Sequence, residues 1–417
     1  MPPNARAAVA RRVSHSSYAT GFVGSLEGLR AVAAYGVVLT HVAFQTGLDP
    51  ATPLGAIAAR FDFFVAVFFA LSAFLLWRRH RSDRRFGSYY LHRCARILPA
   101  YWVCVIAVLL FAPVAFGASP SVVIAQLTLT QIYLPQGLIG GLTHLWSLCI
   151  EVAFYLILPL LVLTVGRLRS ARRRIAVWVF LAAASLGWAW IPLVAATPAN
   201  GWPNMQIWPP AYASWFAVGL IAAELEPRFH ATTGSRLHGW LIKALHLRPL
   251  WWAVALFIAW VAGQEWFGPL GLEHPSPAQF TVRTLAGAAF AAVVVWPYAL
   301  APRSRDLLAT PVARTLGRWS YSVFLWHVAV LSVVFPLLGI PLFSGHTLLV
   351  GALTLGLSTA VAAASYELME RPARRAFLSG LPSFIRLPRR TRHPSHPARG
   401  QHTYEHPGER PYEQPHE

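Results

Sequence analysis

Charge is scarce in this chain. Of its 417 residues only 12% are charged, about half the ~25% of a soluble domain, and 56% are hydrophobic. That balance excludes an ordinary water-soluble enzyme and makes lipid the main solvent. Lysine is reduced to Lys243 alone; the bias toward Arg, Ala and Pro fits a GC-rich bacterial genome. The three cysteines, Cys94, Cys104 and Cys149, lie in or beside apolar segments. They form no CxxC pair and no ligand spacing with histidines, so neither a disulfide framework nor a thiolate metal centre is expected. Whole loops also lack charge: 117–143, 197–207 and 340–344 contain no Lys, Arg, Asp or Glu. No internal repeat is present.

The formal charge of +19 does not make a nucleic-acid partner. The arginines stand in short clusters between apolar segments, the positive-inside pattern of a membrane protein. A span needs about 20 apolar residues. By that measure ten spans are expected, near 27–47, 61–77, 97–116, 144–166, 175–196, 208–225, 250–268, 281–300, 317–339 and 345–368. The basic loops around Arg78–Arg96, Arg167–Arg174, Arg228–Arg248 and Arg303–Arg314 alternate with the uncharged ones. The basic set is therefore expected on the cytoplasmic side, with both termini, in the inner (plasma) membrane. Residues 1–24 are expected to be a basic cytoplasmic leader and 25–372 the transmembrane domain. Residues 373–417 read as a disordered cytoplasmic tail, too polar to build a core. Its histidines, His393, His396, His402, His406 and His416, are read as part of that tail and not as metal ligands. The fold class is all-α: a helical bundle of about ten spans around a pore.

Ionisable groups inside spans are costly, so they mark function or tight pairing. Arg30 and His41 in the first segment are eleven residues apart, which returns them to within about 20° of one face and separates them by about 16 Å along the axis. Glu27 is placed to pair with Arg30 on that face. In the fourth segment His144, Ser147 and Glu151 stand at i, i+3 and i+7, so they are expected on one face, with His41 or Arg30 as partner for the carboxylate. In the ninth, Ser320 and His327 share a face by the same arithmetic, next to Tyr321. Arg93 and Arg96, one turn apart before the third segment, suit a phosphate. Each feature also has a plainer account. Arg30 can snorkel, Glu151 can pair structurally with an arginine, His327 can serve helix packing, and Arg93 and Arg96 can contact lipid headgroups.

Taken in order, these residues resemble the acyltransferase-3 family over roughly residues 25–372. The match comprises Arg30-x10-His41, the FFxLSxF-like stretch Phe68–Phe74, and Arg96-Ile97-Leu98-Pro99. It continues with His144-Leu145-Trp146-Ser147 to Glu151, Ser320-Tyr321 through His327, and the closing Glu370-Arg371-Pro372. Ala73 stands where the family often has Gly, which questions close helix packing at that point. The resemblance implies ten or so helices around a pore, an acyl-CoA donor entering from the cytoplasm, and an acceptor hydroxyl on the far side. Some relatives carry an extra extracytoplasmic hydrolase-like domain; here a later transfer step is expected to need a separate extracytoplasmic partner.

On that reading His41 is the general base for the acceptor hydroxyl. Glu151 orients or charge-balances the imidazole, and Arg30 holds the thioester carbonyl or a phosphate. Arg30, Arg93 and Arg96 bind the donor. His144, Ser147, Ser320, Tyr321 and His327 line the substrate path. No tightly bound cofactor and no metal are expected. The expected reaction is O-acylation, by an acetyl or another short acyl group, of an envelope glycolipid or polysaccharide, with an antibiotic or macrolide sugar as another acceptor. The competing class is a transporter or lipid flippase using His and Glu as a proton relay. No pair of Gly/Pro-broken inverted repeats supports it.

Overall fold

The computed structural model describes residues 23–199, 201–231, 235–270, 274–303 and 305–379. Most of the expected leader, and the tail beyond Ser379 with its five histidines, lie outside the described residues. Residues 373–379, expected in the unstructured tail, belong to a helix.

Among the described residues there are helices and no strands. The numbered helices are α1 Gly24–Thr46, α2 Pro53–Ala59, α3 Phe64–His80, α4 Phe86–Phe111, α5 Pro120–Thr128, α6 Trp146–Leu163 and α7 Ala171–Leu186. They continue with α8 Ala213–Ala231, α9 Arg236–His246, α10 Arg248–Ala262, α11 Pro277–Leu300, α12 Pro311–Leu338, α13 Thr347–Ser365 and α14 Arg371–Ser379. A π segment, Tyr366–Glu370, joins the last two. Proline sits in the first turn of α2, α5, α10, α11 and α12, where its missing N–H leaves no bond unmade. A reciprocal Ser276–Gln279 capping box opens α11.

All ten expected segments fall on helices, but the count of ten spans is not met. Six helical stretches are long and apolar enough to cross a membrane, or seven if the α9–α10 pair, bent by 64°, is one span. The reason is length and charge. At 1.5 Å per residue, α7 with 16 residues and α10 with 15 fall short of a ~30 Å hydrocarbon core. α1 carries Glu27, Arg30 and His41, and α8 carries Glu224, Glu226 and Arg228.

Two helix pairs dominate the packing, α1 with α12 and α3 with α8. Both depend on glycine. A Cβ on Gly317 would lie 2.1 Å from the Glu27 carbonyl oxygen, and one on Gly219 would lie 1.9 Å from that of Ala70. Ala73, the family-atypical position, is fully buried; close approach occurs one turn away, at Ala70. Aromatics fill the centre, with Phe69 stacked on Phe216 at 4.5 Å and Phe216 on Phe154 at 4.4 Å.

Candidate active site

Three histidines far apart in sequence meet. His41 comes from α1, His327 from α12, and His144 from the turn Thr143–Leu145 before α6. Ring centroids are 5.0 Å apart for His41–His327, 4.5 Å for His144–His327 and 6.2 Å for His41–His144. His144 and His327 are buried.

Their hydrogen bonds fix the tautomers. His41 Nδ1 is 2.8 Å from the Val37 carbonyl oxygen. A carbonyl only accepts, so Nδ1 carries the hydrogen and Nε2 is the bare, basic nitrogen. His327 Nδ1 donates to the Phe324 carbonyl at 2.7 Å, which leaves its Nε2 as an acceptor, 3.4 Å from His41 Nδ1. His144 Nε2 donates to the Leu325 carbonyl at 3.2 Å, and its Nδ1 is buried without a hydrogen-bond partner. The His41 N–H thus faces two acceptors, Val37 and His327, an arrangement that holds the ring whether or not Nε2 takes a proton.

A second cluster lies toward the start of α1. Arg93, Arg96, Glu151 and Tyr155 are within electrostatic reach of Arg30. Glu151 Oε1 accepts a short hydrogen bond from Ser72 and another from Tyr155 at 2.5 Å. The Arg93 guanidinium lies 5.7 Å from the centre of the Tyr155 ring. The Nε atoms of Arg30 and Arg93 are buried and make no hydrogen bond. Nearby, the Glu370 carboxylate at the end of the π segment accepts from Ser322, and Arg96 and Arg30 lie within its electrostatic reach. These groups suit an anion that arrives with its own acceptors.

Some expected neighbours part company. His144 precedes the first α-helical turn, so the i, i+3, i+7 face does not extend back to it: His144 joins the histidines and Glu151 the arginines. Among the described residues no hydrogen bond joins Glu151 to His41. Glu27 meets Arg314 on α12 at 3.9 Å in place of Arg30. Ser147 bonds back to the His144 carbonyl at 3.2 Å and Ser320 to that of Gly317 at 2.8 Å. The Tyr321 hydroxyl donates to the Ile97 carbonyl at 2.9 Å, tying α12 to α4.

Other groups escaped the sequence reading. Tyr155 stands four residues after Glu151, a spacing that could have identified it. Ser72 stands in the sequence as one position of the Phe68–Phe74 stretch. Arg81 and Arg174, read as loop charges, close on buried Glu224. Arg174 contacts it at 2.8 and 2.6 Å, Arg81 at 3.2 Å, and Trp77 Nε1 at 2.6 Å. Asp62 pairs with Arg283 at 2.6 Å; no local pattern links positions so far apart. An apolar cavity of about 270 Å³ lies between α4 and α12, lined by Val108, Phe111 and Trp326, the neighbour of His327. Among the described residues no group of three or more His, Cys, Asp or Glu side chains is disposed to hold a metal ion.

A helical membrane protein in which one helix contributes Arg30 to a basic cluster and His41 to an imidazole cluster is a recognisable class, and comparison with known proteins names it. Residues 23–366 match the acyltransferase-3 domain model, and the chain belongs to that family. It is similar to acyltransferase MdmB of Streptomyces mycarofaciens, 28% identical over 346 residues that cover 76% of this chain and 80% of that protein. It is also similar to nodulation protein 10 of Rhizobium leguminosarum bv. viciae, 24% identical over 336 residues, 74% of this chain and 81% of that one. No solved structure matches it. The chain is therefore a membrane acyltransferase, and the carrier alternative gives way to an enzyme.

Proposed function

We propose that the chain transfers an acetyl or other short acyl group from acyl-CoA to a hydroxyl of an envelope polysaccharide or glycolipid. The observation that carries this reading is the fixed tautomer of His41, which leaves Nε2 bare on the same helix as Arg30. His41 Nε2 takes the hydroxyl proton as the oxygen attacks the thioester carbonyl. The C–S bond then breaks, and the CoA sulfur leaves with the proton that His41 returns. Arg30, Arg93 and Arg96 bind the phosphates or carbonyl of the donor. Glu151, held by Ser72 and Tyr155, balances Arg30 instead of orienting the imidazole. His327 takes the orienting role that a carboxylate plays in many hydrolytic triads.

The alternation of basic and uncharged loops supports a plasma-membrane enzyme with the basic loops and both ends of the chain in the cytoplasm. On this topology the arginine cluster faces the cytoplasmic donor and His41 lies deeper, toward the acceptor. The first relative is an acyltransferase by name, in keeping with acyl transfer. The test is to incubate membrane vesicles containing the protein with radiolabelled acetyl-CoA and an envelope extract. Label should enter a base-labile ester on carbohydrate or glycolipid, and His41→Ala should abolish it. Label that stays with water-soluble acetate, or that the variant incorporates equally, contradicts the reading.

A further inference from the structure

The reaction needs two substrates at His41, and the arginine cluster accounts for one of them. The other side of His41 carries its own polar group. Beyond Thr46 the chain turns through α2 into the short turn Phe61–Phe63, and the Thr40 hydroxyl, next to His41, donates to the Ala59 carbonyl at 3.1 Å. Asp62 in that turn is within electrostatic reach of His41. Its Oδ2 accepts from Arg283 Nη2 of α11 at 2.6 Å, while Oδ1 is buried and makes no hydrogen bond. Both side chains remain 29% exposed, so the pair is reachable. The turn beneath it is rigid: Arg60, itself buried, donates to the Ala262 carbonyl at 2.7 Å and the Pro269 carbonyl at 3.5 Å. Tyr212 lies within electrostatic reach of both Asp62 and Arg283. Its ring is buried among Phe69, Trp146, Trp215 and Phe280.

We propose that Asp62 and Arg283 form an acceptor subsite, holding a second hydroxyl of the acceptor beside the one that is acylated. The proposal rests on the acyl-transfer reading above. A carboxylate with one oxygen committed to a guanidinium and the other unbonded accepts a hydroxyl proton. The guanidinium has further N–H donors for a second oxygen. An ion pair that served only to join two elements would have no reason to bury a carboxylate oxygen unbonded, which costs stability. Holding one hydroxyl there would orient the acceptor toward His41, so the pair would choose which alcohol is acylated.

The probes are octyl β-glucoside and 1-octanol, which share a tail and differ in the sugar, with radiolabelled acetyl-CoA as donor and protein in vesicles. The wild-type protein should acylate the glucoside with a kcat/KM at least about tenfold above that for octanol, the worth of one charge-assisted hydrogen bond. Asp62→Asn and Arg283→Gln should each bring that ratio toward one, mainly by raising KM for the glucoside. The proposal is overturned if the wild-type protein shows no preference, if either variant keeps it, or if both variants lose the two alcohols equally, which marks a structural pair. No transfer to either alcohol by a protein that labels the envelope extract overturns the subsite; no transfer to the extract or to either alcohol overturns the acyl-transfer reading itself, and the subsite with it.

Discussion

At the scale of single residues, the chemistry of the site depends on which ring nitrogen holds the hydrogen. Val37 settles that for His41, and His327 offers the same N–H a second acceptor at 3.4 Å. An imidazolium formed at His41 during turnover would be stabilised through that contact, so His327→Leu should lower kcat by roughly tenfold or more while leaving KM for acyl-CoA unchanged. Steady-state kinetics in vesicles reads the split; equal changes in both constants would reduce His327 to a packing residue. Arg96→Ala should do the reverse. Loss of one guanidinium contact to an anion should raise KM for acyl-CoA by about tenfold and leave the acceptor KM as it was, whereas a role limited to lipid headgroups leaves both unchanged. The positions of Arg30, His41, Glu151 and His327 were readable because an ionisable group in an apolar run stands out against its neighbours. Their partners were not. Glu27 and Arg30 are three residues apart, yet Glu27 reaches Arg314 of another helix. Helical spacing tells which side chains share a face; it does not tell what the neighbouring helix presents to that face.

At the scale of elements, the sequence shows where helices run, and fewer than ten of them have the length and composition of a simple membrane span. Each apolar segment became helical, but α7 and α10 are too short and α1 and α8 too polar to meet the length and composition of a simple span. Polar residues in α1 and α8 are tolerated because other helices cover them: Glu224 of α8 is fully buried among Arg174, Arg81 and Trp77. Glu224→Leu leaves two arginines without their shared carboxylate and should cost about 3–5 kcal/mol, read as a lower melting temperature in detergent. Wild-type stability of that variant would show the network to be dispensable. Close packing gives a second prediction. Even one methyl at Gly317 meets the Glu27 backbone at 2.1 Å, so Gly317→Ala should destabilise the α1–α12 pair by about 1–3 kcal/mol. Because α1 carries His41 and α12 carries His327, its activity should fall along with its melting temperature.

At the scale of the whole molecule, the separation of the arginine cluster from the histidines gives the path its direction. Eleven residues of one helix, about 16 Å, lie between a set of cations suited to the phosphates of CoA and a base suited to a hydroxyl. On the proposed topology, loop charge sets that direction across the membrane. In a variant freed of Cys94, Cys104 and Cys149, cysteines at Ser82 and Ser170 should resist an impermeant thiol reagent in intact cells, and one at Ser121, exposed on α5, should react. Labelling of the first two in sealed cells would reverse the orientation and with it the side from which the donor enters.

The most direct test of the account compares two substitutions of one residue. His41→Ala removes the proposed base and should lower acyl transfer by at least about 10²–10⁴-fold, with the protein still inserted and accumulated. His41→Gln restores a hydrogen-bonding side chain that cannot take up a proton at neutral pH. Transfer of label from acetyl-CoA, measured at saturating donor, should be as low for Gln as for Ala. Near-normal transfer by the Gln variant would contradict the account, because His41 would then only position its substrate and the proton would go elsewhere.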